Sequence, residues 1–144
     1  MLDRCIKLAG QVDAWCHLGD LTSDAEALMS RTNAKVYAVR GNCDYFGGSA
    51  QRYESEAVVE LGGARILMMH GHTRGVKSSA MNACYAAREC GAQILLFGHT
   101  HRPLVDWDGT LWVMNPGSIR DRRTYGVITL EGGKIDCAAQ TLTL

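Results

Sequence analysis

Gln93-Ile94-Leu95-Leu96-Phe97-Gly98-His99-Thr100-His101 is the stretch that decides how this chain folds. Residues 93–97 form an apolar run of strand length, and Gly98 ends it. Two histidines follow at once. The same order recurs upstream. Ala64–Met69 runs into His70-Gly71-His72. Residues 12–16 run into His17-Leu18-Gly19-Asp20, and residues 35–39 into Gly41-Asn42-Cys43-Asp44. Four strand-like runs therefore each end in side chains that can bind a cation. In an open α/β sheet, sites form beyond the carboxyl ends of the strands. If these strands are parallel neighbours, the four loops meet on one edge. A glycine in each loop lets the backbone turn sharply beside a crowded site.

Around these runs the chain alternates apolar segments with glycine turns. Ser23-Asp24-Ala25-Glu26 reads as a capping box that opens a helix fading near Thr32-Asn33. Gly62-Gly63, Asp108-Gly109 and Gly132-Gly133 each sit between two strand-like runs and predict three hairpins. Ala80, Ala83, Cys84 and Ala87 make one apolar face of a helix that starts near Ser78-Ser79 and stops at Gly91. No repeat, low-complexity run or linker is seen, so residues 1–144 read as a single domain. Two sheets packed together and covered by helices fit this pattern.

Imidazole nitrogen, carboxylate oxygen and amide oxygen form a donor set suited to Mn, Fe, Zn, Ni or Co. A carboxylate with histidines on both sides is what a two-metal centre needs. Two ions about 4 Å apart can activate a water and clamp both oxygens of a phosphoryl transfer. Each fragment also has a plainer reading. His17, alone at a strand end, reads as a packed histidine, and Cys43 as an inert thiol. The combination of four such loops in one short chain is what points to a site.

Composition narrows the classes further. Fifteen basic and fifteen acidic residues give no net charge, so the total supplies no surface for non-specific nucleic-acid binding. Arg120, Arg122 and Arg123 cluster locally but read as a solvated loop. The six cysteines contain no C-x-x-C pair and read as free thiols of a reducing compartment. With no signal peptide and no membrane-length apolar run, a cytoplasmic protein is the expectation.

Gly19-Asp20, Gly41-Asn42-Cys43-Asp44, His70-Gly71-His72, Gly98-His99-Thr100-His101 and Asn115-Pro116-Gly117-Ser118, in this order and spacing, resemble the calcineurin-like metallophosphoesterases. The spacing is most similar to the small bacterial and archaeal phosphodiesterases of the YfcE type. The resemblance covers essentially the whole chain. It implies an α/β fold, an αββα sandwich of two mixed sheets flanked by helices. It also implies two divalent ions at one edge, with Mn2+ expected and Ni2+, Zn2+, Fe2+ or Co2+ as alternatives. By motif position Asp20 would bridge the ions, Asn42, His70 and His99 would complete one site, and His101 would serve the other. His72, Cys43 and Asp44 would stand behind the ligands or face the substrate. A metal-bridging hydroxide, rather than a side chain, would attack a small phosphodiester. A homodimer would cover an open sheet edge.

Two departures from the family pattern matter. Larger members carry histidine where this chain has Cys43, which favours substrates with good leaving groups. Members also open with a strand ending in D-x-H, and no D-x-H occurs here. Met1 precedes what reads as the first helix, Leu2–Ala9, so the first strand is expected to be missing and to leave an inner gap in the sheet. An upstream start is the favoured account, ahead of a one-metal protein or one that has given up catalysis. The alternative function is a non-catalytic scaffold for protein partners, as in the retromer subunit of the same fold. A purely structural metal site is the least favoured.

Overall fold

The structure, a computed structural model, describes residues 1–44 and 52–143. Helix α1 (Leu2–Ala9) leads to β1 (Ala14–His17), α2 (Thr22–Arg31) and β2 (Lys35–Ala38). A hairpin of β3 (Glu56–Leu61) and β4 (Ala64–Met69) follows, then α3 (Met81–Glu89) and β5 (Ile94–Phe97). Two more hairpins complete the fold: β6 (Leu104–Trp107) with β7 (Trp112–Asn115), and β8 (Thr124–Glu131) with β9 (Lys134–Thr141). All three glycine-marked hairpins stand where the sequence put them.

The central sheet has five strands in the order β3-β4-β5-β7-β6. β4, β5 and β7 run parallel, and β3 and β6 are antiparallel edges. Strand periodicity divides its side chains between two cores. Ala64, Ile66, Met68, Ile94, Leu96 and Met114 face one side, and Leu67, Met69, Leu95, Phe97 and Val113 the other. α3 covers the second face with Ala83 and Ala87, both fully buried. The first face is covered by strands: Cys16 and Tyr37 from β1 and β2, and Ile128, Leu130, Ile135 and Cys137 from β8 and β9. α2 lies against β1 and β2. The stack is helix, strand layer, sheet, helix, which is the αββα arrangement. Each large aliphatic side chain buried in these cores contributes about 1.5–3 kcal/mol.

The four loop-bearing strands are parallel neighbours only in pairs. β1 and β2 form a parallel pair in one layer, and β4 and β5 a parallel pair in the other. Their carboxyl ends meet because the two layers are stacked in the same sense. Within the strand layer, β1–β2 and β8–β9 are separate ladders, and among the described residues no main-chain hydrogen bond joins them.

The start of α2 also differs. No side chain of the Ser23-Asp24-Ala25-Glu26 segment caps it; Leu21 takes the N-cap position with φ 57°. The Thr22 N–H is accepted instead by Asp44 Oδ1, at 3.2 Å, from the loop after β2. The helix thus starts before Ser23, which lies inside its first turn, and a distant carboxylate takes the first helical N–H.

Asp108 pins the β6–β7 turn. Its Oδ1 accepts from Thr110 N–H at 2.9 Å, Thr110 Oγ1 at 3.0 Å and Leu111 N–H at 2.8 Å. The Thr110 and Leu111 N–H groups, with a smaller contribution from Arg88, pull its carboxyl down to about 2. A depressed folded value means the contribution is present above the ordinary carboxylate range and is lost as pH falls through about 2. An NMR titration should therefore place the Asp108 midpoint near 2. A midpoint near the ordinary value of about 3.9 would show that the turn does not use the ionised group.

Candidate metal centre

Five loops reach one edge: those after β1, β2, β4, β5 and β7. Their crossing is tight enough to demand glycine twice. A Cβ on Gly41 would lie 2.2 Å from Asp20 Oδ1 and 2.6 Å from Asp20 N. A Cβ on Gly19, whose φ is +98°, would lie 2.7 Å from Gly41 N and 2.8 Å from His70 Nδ1. Asp20, Leu21, His99 and His101 all take positive φ. Such conformations in residues with a Cβ cost on the order of 1 kcal/mol each and gather at functional sites.

His70 is the hub. It is 2% exposed, and its Nδ1 lies 2.8 Å from the Leu18 carbonyl oxygen. A carbonyl only accepts, so Nδ1 carries the proton and Nε2 keeps its lone pair. Around Nε2 stand Asn42 Oδ1 at 2.9 Å, His99 Nδ1 at 3.1 Å and Asp20 Oδ2 at 3.5 Å. Among the described residues no three His, Cys, Asp or Glu side chains form a ready-made cage. The arrangement is instead a star of donors centred on His70.

These atoms fit a cation. Nε2 faces the Asn42 amide oxygen and the Asp20 carboxylate oxygen, a meeting of lone pairs that a positive charge would relieve. Ligands held about 2.1 Å from a transition ion stand roughly 3.0–3.4 Å apart, close to the separations seen here. Burial pushes the His70 and His99 imidazoles down, the latter also through His70 and Lys77, so both favour the neutral, ligating form.

The other sequence-predicted residues take distinct places. His72 lies with its ring 5.4 Å from that of His70 and 6.2 Å from that of His99, and its buried Nδ1 has no hydrogen-bond partner. His101 makes its side-chain contact with Asp121. Cys43 is exposed; the Asp20 charge, with slight burial, raises its thiol and keeps it protonated, so it is a poor nucleophile. Asp44 is buried and accepts from the N–H groups of Asp20 at 2.8 Å, Thr22 at 3.2 Å and Gly41 at 2.7 Å. Both of its carboxylate oxygens are thus engaged by the main chain of the Asp20 and Gly41 loops. His17 is packed beneath the site and accepts from Gly19 N–H at 3.3 Å.

Sequence reasoning gave no role to Asn115, although it quoted the motif that contains it. Asn115 is fully buried, and its Nδ2 donates to the Gly98 carbonyl and Thr100 Oγ1, both at 2.9 Å. Its Oδ1 accepts from Gly117 N–H at 2.9 Å. A polar residue ending a buried strand was the available signal.

The model of the calcineurin-like phosphoesterase superfamily domain matches residues 2–133. The chain belongs to this superfamily. Among the relatives of this phosphoesterase is YsnB of Bacillus subtilis, assigned as a metallophosphoesterase. It is 36% identical over 84% of this chain and 70% of its own length. The phosphodiesterase YfcE of Escherichia coli is 33% identical over 59% of this chain and 45% of its own length. The chain thus spans under half of YfcE. Among solved structures, a Vps29 from Entamoeba histolytica shares the fold with a TM-score of 0.67 and 24% identity, over 96% of this chain and 86% of its own. As a metallophosphoesterase this chain is expected to use divalent metal.

Proposed function

We propose that the chain is a metal-dependent phosphodiesterase acting on a small phosphodiester, with Mn2+ as the working ion. The observation that carries this is the star of lone-pair atoms around His70 Nε2. Asp20, Asn42, His70 and His99 would hold one ion, and His101 would contribute to a second. When bound, the ions would activate water and offset charge on the phosphoryl oxygens. The chain's own residues do the rest. The Leu18 carbonyl fixes the His70 tautomer, and Asp44 locks the Asp20 and Gly41 loops together. Asn115 holds the loop bearing His99 and His101. With Cys43 a protonated thiol exposed at the site, substrates with good leaving groups are favoured. No helix among the described residues is long and apolar enough to cross a membrane.

Lys77 adds a cation. Val76 packs on Gly71, where a Cβ would come within 2.6 Å of its Cγ2, and its N–H reaches the Gly71 carbonyl at 3.4 Å. This fold-back carries the exposed Lys77 to where its charge acts on both His99 and Cys43. Lys77→Ala should raise KM for an anionic diester roughly three- to tenfold with kcat nearly unchanged, more at low salt. An unchanged KM would remove Lys77 from substrate attraction.

The direct test is hydrolysis of bis-p-nitrophenyl phosphate by metal-free protein titrated with Mn2+ and Ni2+. Metal-stimulated turnover that disappears in His99→Ala supports the proposal. No turnover with any ion, in protein that binds the ion, would favour the second reading, a partner-binding scaffold. The exposed apolar residues Leu104, Val105 and Trp107 on edge strand β6 speak for that reading.

A further inference from the structure

The segment between β7 and β8 carries Arg120, Arg122 and Arg123, yet its backbone is tied at many points. Ser118 Oγ accepts from the N–H groups of Arg120 at 3.3 Å and Asp121 at 3.2 Å. The Ser118 carbonyl accepts from Arg122 N–H at 3.0 Å and Thr124 N–H at 3.2 Å, and the Arg123 carbonyl from Leu142 N–H at 2.6 Å. Asn115, bonded to Gly98, Thr100 and Gly117, sets this segment in register with the His99–His101 loop. Arg120 turns aside, with its guanidinium 3.6 Å from Asp24 Oδ2. The outcome is that Asp121 Oδ2 meets His101 Nδ1.

This contact decides which form of His101 is available. An ionised carboxylate can only accept, so Nδ1 holds the proton and Nε2 is left with its lone pair. A carboxylate on the far nitrogen of a metal-binding imidazole fixes its tautomer and orientation. Burial does not do this job here, because the His101 and Asp121 side chains are 44% and 57% exposed.

We propose that Asp121 is a positioning residue for a divalent-cation site at His101, holding the ring and its tautomer so that Nε2 is free to bind the ion. The proposal rests on the metal-dependent reading above, but its first readout needs no metal. In metal-free protein, well above the imidazole titration range, nitrogen NMR should show His101 protonated at Nδ1. Asp121→Ala should release it to the Nε2–H form usual for an exposed neutral histidine. Asp121→Asn, which still offers an amide oxygen, should retain Nδ1–H. In a calorimetric Mn2+ titration, Asp121→Ala should weaken the ion at His101 roughly ten- to hundredfold while the ion at the His70 star keeps its affinity. An unchanged tautomer in Asp121→Ala, or an unchanged isotherm in Asp121→Ala when the wild type binds Mn2+, overturns the proposal. A tautomer that changes between wild type and Asp121→Ala, in a wild type that binds no Mn2+, overturns the metal-dependent reading instead, so the two failures are distinguishable.

Discussion

His70→Ala should strip the ion from the star and reduce phosphodiester hydrolysis roughly a thousandfold or more. The magnitude follows from the chemistry assigned to the ion. Stabilising the charge that develops on the phosphoryl group is worth several kcal/mol, and each 1.36 kcal/mol is about tenfold in rate. His70 is the residue to change because three donor atoms, from the loops after β1, β2 and β5, all point at its Nε2. The variant also leaves the Leu18 carbonyl without its donor, a loss of about 1–3 kcal/mol in stability. Circular dichroism should therefore accompany the assay, and metal per chain should be measured on the same sample by mass spectrometry. Folded protein with unchanged metal content would show that the star is not the site. Folded protein without metal but with full activity would sever the chemistry from the metal.

Asp44→Ala should be the most destabilising single change near the site, although Asp44 touches no proposed ligand atom directly. Its two oxygens accept three main-chain N–H groups from two loops that are far apart in sequence. Alanine removes all three acceptors at once. An unsatisfied buried group costs about 1–3 kcal/mol, and water entering the partly buried positions offsets some of this, leaving a net loss of about 3–5 kcal/mol. In a protein of this size that is a fall in Tm on the order of 10 °C. Asp44→Asn keeps one oxygen for the Asp20 and Gly41 N–H groups but turns an NH2 toward Thr22 N–H, so an intermediate loss is expected. Thermal melts of the three proteins check the order. Equal Tm values for wild type and Asp44→Ala would mean that the loops are held by packing alone.

Much of the local structure was legible because its causes are local. Glycine pairs and Asp108-Gly109 specified hairpins, since they supply the backbone conformations that tight turns need. The alanine face of α3 was visible at helical spacing, and Ala83 and Ala87 are buried against the central sheet. The donors Asp20, Asn42, His70 and His99 were visible because each directly follows a strand-like run. The capping box failed because the helix starts at Thr22, which puts Ser23 inside the first turn, and the first helical N–H is accepted by Asp44, more than a dozen residues downstream. Asp121 passed unnoticed because a carboxylate among arginines has no pattern until the fold brings it to His101.

The amino-acid sequence by itself determined the elements, the residue types at the strand ends and the family, because periodicity, turn chemistry and motif spacing are properties of neighbouring residues. Only the tertiary structure decided that β1–β2 and β4–β5 lie in different layers, since two parallel pairs look the same in sequence whether they join edge to edge or stack face to face. It alone decided that Leu18 fixes the His70 tautomer, that Asp44 is a buried clamp and that His101 is paired with Asp121. These depend on contacts between residues as many as 52 positions apart, and their strength comes from burial and direction that no local pattern encodes.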